Sequence, residues 1–195
     1  KITCDKLKQA LNSLIPGDIY VKSVVEVKDD FHARFNVKAK EYIYKINMGE
    51  YNPLEKDYVY QYNKRLDLVE MERALKYLEG EHDFKAFKAS GTSSKSEHDF
   101  KSFSKTDDEK EDYVRTIIQT NIIREIKDVN HFTISFLGTG FLRYQVRNMV
   151  GLLIEIGEGK RKSEDILEIL EAKDRRKAGI TAPGEGLYLK DVFYY

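Results

Sequence analysis

The sequence predicts an α+β domain built on a largely antiparallel mixed sheet flanked by helices. Three observations carry this. Two strand-like runs, residues 114–127 and 131–137, are separated only by Asp128-Val-Asn130, the spacing of an antiparallel pair. Apolar residues recur at helical steps in Leu7/Leu11/Leu14, in Leu68/Met71/Leu75/Leu78 and in Leu142/Val146/Met149/Val150/Leu153, each a single buried stripe. Strands and helices also mix without a regular βαβ period, which argues against a parallel, doubly wound sheet.

Residues 5–15 form the first helix, ended by Pro16-Gly17. Residues 18–27, with Ile19, Val21 and Val25, read as a strand, and Lys28-Asp-Asp30 as a turn. Phe31-His-Ala-Arg-Phe35 follows. Residues 38–46 alternate: Tyr42, Tyr44 and Ile46 share one strand face, and Ile43 and Lys45 take the other. The tyrosine-rich stretch 49–64 is irregular, and the boundary between two half-domains is placed there, giving 1–48 and 49–195. Asp67 caps the next helix, with Glu70 as its capping-box partner, and Gly80 stops it. Glu81-His-Asp-Phe-Lys-Ala-Phe87 returns as Glu97-His-Asp-Phe-Lys-Ser-Phe103, an echo too short for a solenoid. One copy is expected to pack and the other to loop out within an exposed 90–112 segment. The hairpin leads through a glycine turn at Gly140 into a long helix. Ser163 caps a further helix, with Lys173, Arg175 and Arg176 near its end. Residues 178–185 form a Gly/Pro turn and residues 186–195 a final strand.

The 195 residues hold 33 basic and 33 acidic side chains, so broad non-specific binding to nucleic acid is disfavoured, while a local basic cleft is compatible with the balance. The single cysteine, Cys4, allows neither an internal disulfide nor a cysteine-based zinc site and fits a reducing cytoplasm. No apolar run of membrane-spanning length and no signal pattern stands out, so a soluble protein that is not secreted is expected. The first residue is Lys1, not Met, as in a fragment. His32, His82, His98 and His131 are scattered without metal-ligand spacing, and no metal site is expected. There is no P-loop or GxGxxG, so no nucleotide cofactor is expected, and Ser and Cys nucleophile motifs are absent.

What remains is aromatic and basic. Lys38, Lys40, Tyr42, Tyr44 and Lys45 crowd one strand. Exposed aromatics among basic residues stack unpaired bases beside their phosphates, but tyrosines in a strand are equally at home in a core. The helix after Gly140 leaves a similar choice. Arg143 and Arg147 are either solvated beside a core stripe or present a fixed guanidinium at the floor of a cleft. Gly151, inside the helix, marks a close approach by another backbone or by a ligand.

Phe31-His-Ala-Arg-Phe35, Lys40-Glu-Tyr-Ile-Tyr44, Glu81-His-Asp-Phe84, Gly140-Phe-Leu-Arg-Tyr-Gln-Val-Arg-Asn-Met-Val-Gly151, Ala172-Lys-Asp-Arg175 and Gly186-Leu-Tyr-Leu189 stand in the order found in the tRNA pseudouridine synthase A family. The chain resembles that family over nearly its whole length. The resemblance implies a pseudouridine synthase fold of two α+β halves with the cleft between them. It implies isomerisation of uridine to pseudouridine at positions 38 to 40 of the tRNA anticodon stem-loop, on a base flipped out of its helix. It further implies no metal or other cofactor, a cytoplasmic homodimer, and tRNA as the partner. Carried over by position, Tyr42 stacks on the target base, Arg147 pairs with the catalytic aspartate and Leu187 packs at the base. Arg34, Lys38, Lys40 and Arg143 are the residues expected to meet RNA.

Two departures bear on activity. The family's aspartate lies in an Arg-Thr-Asp-Ala-Gly-Val-His-type loop upstream of the helix that begins near Asp5, and no such segment stands in these residues. Asp83, Asp99 and Asp174 belong to other motifs. The expectation is a fold truncated at its N-terminus and a chain that does not turn over alone. The alternatives from other classes are a non-catalytic tRNA-binding module and a purely structural dimerisation domain. The second departure is the duplicated EHDFKxF segment, where the family has one copy.

Overall fold

The structure is a computed structural model that describes residues 2–89, 112–126 and 128–194. The chain divides into two compact units, Lys1–Asn36 and Val37–Tyr195. The boundary expected at 48/49 falls inside the second.

In the first unit, helix α1 (Cys4–Leu14) is capped by Thr3, whose hydroxyl accepts from Lys6 N. The strand expected over 18–27 does not form. Asn12 takes both backbone groups of Val21, donating to its carbonyl at 3.0 Å and accepting from its N–H at 2.8 Å, so a side chain replaces the ladder partner a strand requires. Residues 31–35 form a turn in which His32 Nδ1 accepts from the N–H groups of Arg34 and Phe35.

The second unit is a six-stranded sheet: β1 (Ala39–Asn47), β2 (Tyr60–Gln61), β3 (Gly80–Asp83), β4 (Val114–Arg124), β5 (His131–Gly138) and β6 (Leu187–Phe193). The order is β2-β1-β5-β4-β3, with β6 also on β1; only β1–β2 is parallel. On one face Tyr44 stands opposite Ile134 and Ile46 opposite Phe132. All four are buried beneath α2 (Leu68–Leu78) and α3 (Gln145–Gly157) in a core that also takes Met71, Leu75 and Leu78. The first EHDFKxF copy forms β3 and a 3-10 turn, Phe84–Phe87, with both phenylalanines fully buried. The second copy lies outside the described residues.

Three local expectations are corrected by tertiary contacts. Asp67 does cap α2, accepting from Val69 N and Glu70 N, but Glu70 does not close a capping box. Its carboxylate meets Arg73 and the Ser163 hydroxyl, while Asp67 N donates to Gly157 O at 2.8 Å. Ser163 consequently does not cap the next helix, α4 (Asp165–Ala172), which starts without a side-chain cap. Lys173 ends α4 in the left-handed region, so Arg175 and Arg176 belong to a separate 3-10 turn. Asp67→Ala is expected to cost about 1 kcal/mol, the worth of a lost N-cap, read as a lower urea midpoint at unchanged slope.

At the far end of β5, His131 joins two carboxylates, Asp128 at 2.7 Å and Glu55 at 2.9 Å. Partial burial alone would depress its pKa. Hydrogen bonds to both carboxylates and their charges outweigh that, and the pKa lies above 6.5. A raised folded pKa stabilises fully below the unfolded value and is lost as pH rises through the folded value. Stability should therefore fall by about 0.2–1 kcal/mol on going from mildly acidic to alkaline pH, the range for partly exposed pairs. Urea midpoints should show this in the wild type and not in His131→Gln.

Candidate active site

Strand β1 carries its inward face out of the core and into a cavity. Ile46 and Tyr44 are fully buried, and the Tyr44 hydroxyl donates to Pro183 O at 2.7 Å. Burial, with Tyr60 nearby, pushes that phenol above its usual range. Tyr42, next on the same face, is only half-buried and packs edge-to-face on Phe141 at 5.2 Å. The register of β1 against β6 shifts between Glu41 and Tyr42, the kind of irregularity that re-aims a side chain at a sheet's rim. The two tyrosines thus divide: Tyr44 is core, and Tyr42 lines a cavity of about 310 Å³.

Leu187 enters the lining as the first residue of β6, opposite Tyr44. Gly186 before it cannot carry a side chain, since a Cβ would lie 2.6 Å from Lys45 O. Phe141, Leu142 and Val146 complete the apolar wall, and Arg143, Tyr144, Gln145 and Arg147 add the polar part.

These last four sit where a loop becomes α3. The periodicity predicts a helix through Leu142 and Arg143, but Tyr144 adopts φ 65°, ψ 0° and the helix begins at Gln145. A left-handed tyrosine is strained by roughly 1 kcal/mol or more. The turn is held by Gln145, whose side-chain oxygen accepts from Leu142 N at 2.8 Å, and by Ala89 N donating to Arg143 O. Gln145 is fully buried, and its Nε2 has no hydrogen-bond partner among the described residues. The Tyr144 ring lies beside two guanidiniums, 5.2 Å from Arg143 and 5.0 Å from Arg147.

Arg147 Nε donates to Ala182 O at 2.7 Å, and Ala182 N donates back to Arg147 O at 3.0 Å. Among the described residues no carboxylate forms an ion pair with Arg147, and none lines the cavity. Four Nη–H donors remain to meet an anion. Gly151 serves a different purpose from the cavity: a Cβ there would lie 1.9 Å from Ile180 O, so its close approach is to backbone and not to ligand. Lys38 is exposed on the approach to β1, and Lys40 is half-buried in the strand; neither is part of the lining. Arg34 belongs to the first unit, with its guanidinium 5.8 Å from the Phe35 ring. Among the described residues no group of three or more His, Cys, Asp or Glu is placed to hold a metal ion, and no helix is long and apolar enough to cross a membrane.

The profile of a family described as tRNA pseudouridine synthase matches residues 96–195. A tRNA pseudouridine synthase A of Levilactobacillus brevis is 40% identical over 195 residues, which cover 99% of this chain and 67% of the relative. A tRNA pseudouridine synthase A of Exiguobacterium is 42% identical over 194 residues, all of this chain and 71% of the relative.

The chain belongs to the tRNA pseudouridine synthase family.

A third relative, tRNA pseudouridine synthase A 2 of Clostridium tetani, is 42% identical over 97% of this chain and 69% of its own length. Membership agrees with the fold, a mixed and largely antiparallel sheet flanked by helices, and makes the family's activity that of an isomerase acting on tRNA. Sequence reasoning missed Phe141, Leu142, Tyr144, Gln145 and Val146 as parts of the lining. All five stand inside the GFLRYQVRNMVG run that marked the helix, in which Leu142 and Val146 read as core, and the positive φ at Tyr144 breaks that run where it meets the cavity.

Proposed function

We propose that the cavity between β1 and α3 receives the uracil of a tRNA uridine and serves its conversion to pseudouridine. The observation that carries this reading is Tyr42 leaving the core beside an arginine that has no carboxylate partner among the described residues. A half-exposed aromatic face is a stacking platform for an unpaired base. A cavity of about 310 Å³ is at the lower end of small-ligand sites. In this reading the C1′–N1 bond breaks, the uracil turns, and C1′–C5 forms; C5 gives up its proton and N1 gains one. Arg147 holds the nucleophilic aspartate ionised through a charge-assisted hydrogen bond, and Leu187 packs against the base. Arg34, Lys38, Lys40 and Arg143 meet the RNA. The family resemblance carries the target positions 38 to 40, a homodimeric assembly and a cytoplasmic setting.

Because no carboxylate borders the cavity among the described residues, we propose that these 195 residues bind tRNA without turning it over. The test compares the chain alone with the same chain preceded by the aspartate-loop segment of a relative. Each is incubated with unmodified tRNA, and pseudouridines are mapped by carbodiimide labelling and primer extension. Product at positions 38 to 40 is expected with the fusion only. Product elsewhere, or none from a folded fusion that binds tRNA, would refute the assignment.

A further inference from the structure

The direction of Arg147 is set by one carbonyl, that of Ala182, and that carbonyl sits in a stretch without ladder partners. Residues 179–183 lie between the 3-10 turn Arg175–Lys177 and β6. Three side chains converge there. Thr181 Oγ1 donates to Asn148 Oδ1 at 2.6 Å. Arg175 Nη2 donates to the same Asn148 oxygen at 2.9 Å and to Thr181 Oγ1 at 2.8 Å. Arg175 Nη1 donates to Gly179 O at 2.7 Å.

Asn148 is the fixed point. It is fully buried, next in sequence to Arg147, and its Nδ2 donates to Phe87 O at 2.7 Å and to Lys88 O at 3.2 Å. Two backbone carbonyls can face only the NH₂ end of an amide, so the orientation is decided and Oδ1 must face Thr181 and Arg175. The packed EHDFKxF copy thereby orients an amide on α3, and that amide orients the residue before Ala182.

We infer that Asn148, Thr181 and Arg175 are positioning residues that aim the Arg147 guanidinium into the cavity through the Ala182 carbonyl. Attachment of the segment does not depend on them alone. Ile180 lies against Gly151, and Ile180 N donates to Glu155 at 3.3 Å. Tyr44 also holds Pro183 O. Removing the Thr181 hydroxyl therefore keeps the segment docked, with Ala182 N still bonded to Arg147 O, and loosens the residue that sets the orientation of the aiming carbonyl. The inference rests on Arg147 being the site's guanidinium, but its test uses no RNA and so stands or falls separately from the uridine reading.

The test is Thr181→Val in the 195-residue chain, with Thr181→Ser as rescue. The Arg147 Nε–H resonance is identified in ¹H–¹⁵N spectra by its loss in Arg147→Lys, and its exchange with solvent is measured. In Thr181→Val the exchange should quicken roughly tenfold, the protection of about one hydrogen bond, and the resonance should shift. Thr181→Ser should restore both. Melting should fall by only roughly 2–4 °C. If Thr181→Val does not fold, Arg175→Met carries the same measurement. An Nε–H signal unchanged in the folded variant, or no rescue by serine, would overturn the inference.

Discussion

Arg147→Met is expected to reduce pseudouridine formation by roughly a hundredfold or more in an enzyme that combines this chain with the aspartate loop. The magnitude follows from misplacement: moving a reacting group by about 1 Å costs about a hundredfold. Methionine keeps most of the apolar stem and removes every donor. The aspartate then loses the guanidinium that orients it and keeps it ionised, and its pKa should rise because the neighbouring positive charge is gone. The pH–rate profile should therefore move to higher pH while the plateau drops. In the 195-residue chain alone the same substitution should change stability by only about 1 kcal/mol, the worth of the single bond from Nε to Ala182 O. No carboxylate among the described residues loses a partner. Turnover and urea melts on the two proteins separate the effects. A rate loss below tenfold, or one matched by an equal loss of stability in the chain alone, would remove Arg147 from the pairing role.

Much of the sheet and helix pattern was legible because periodicity records burial. The alternation through Tyr42, Tyr44 and Ile46, the hairpin of β4 and β5, and the α2 stripe all report which side of an element meets the core. Where the core ends was not legible. Tyr42 and Tyr44 have the same parity on one strand, and what separates them is the register shift at Glu41/Tyr42 and the 140–144 loop packed on Tyr42. Capping motifs misled for a related reason. Glu70 and Ser163 are each plausible local caps, but they lie 93 residues apart in sequence and bond to one another. The run 18–27 has strand composition, yet Asn12 takes the backbone of Val21. A glycine inside a helix predicts a close approach at Gly151, and the approaching atoms belong to Ile180. Helical spacing carried the expected helix back to Leu142, because spacing alone does not register a single positive φ at Tyr144.

Tyr42→Leu should reduce turnover of the same combined enzyme by roughly 5- to 150-fold, the equivalent of the 1–3 kcal/mol attributed to one stacked base. Leucine fills much of the space against Phe141 and Leu187, so the cavity should not collapse, and Tyr42 lies at the margin of the core. The affinity for whole tRNA should change little, because many phosphate contacts sum to an energy against which one base contact is small. The loss should appear in the chemical step under single-turnover conditions, with the tRNA dissociation constant within about threefold of wild type. Tyr42→Phe separates the ring from its hydroxyl. Stacking needs only the π-face, so phenylalanine should retain most of the rate; if Phe fails as badly as Leu, the hydroxyl is the working group and the platform reading is wrong. Near-normal turnover in Tyr42→Leu would instead withdraw the cavity from the uridine and leave Tyr42 as an unfilled edge of the core.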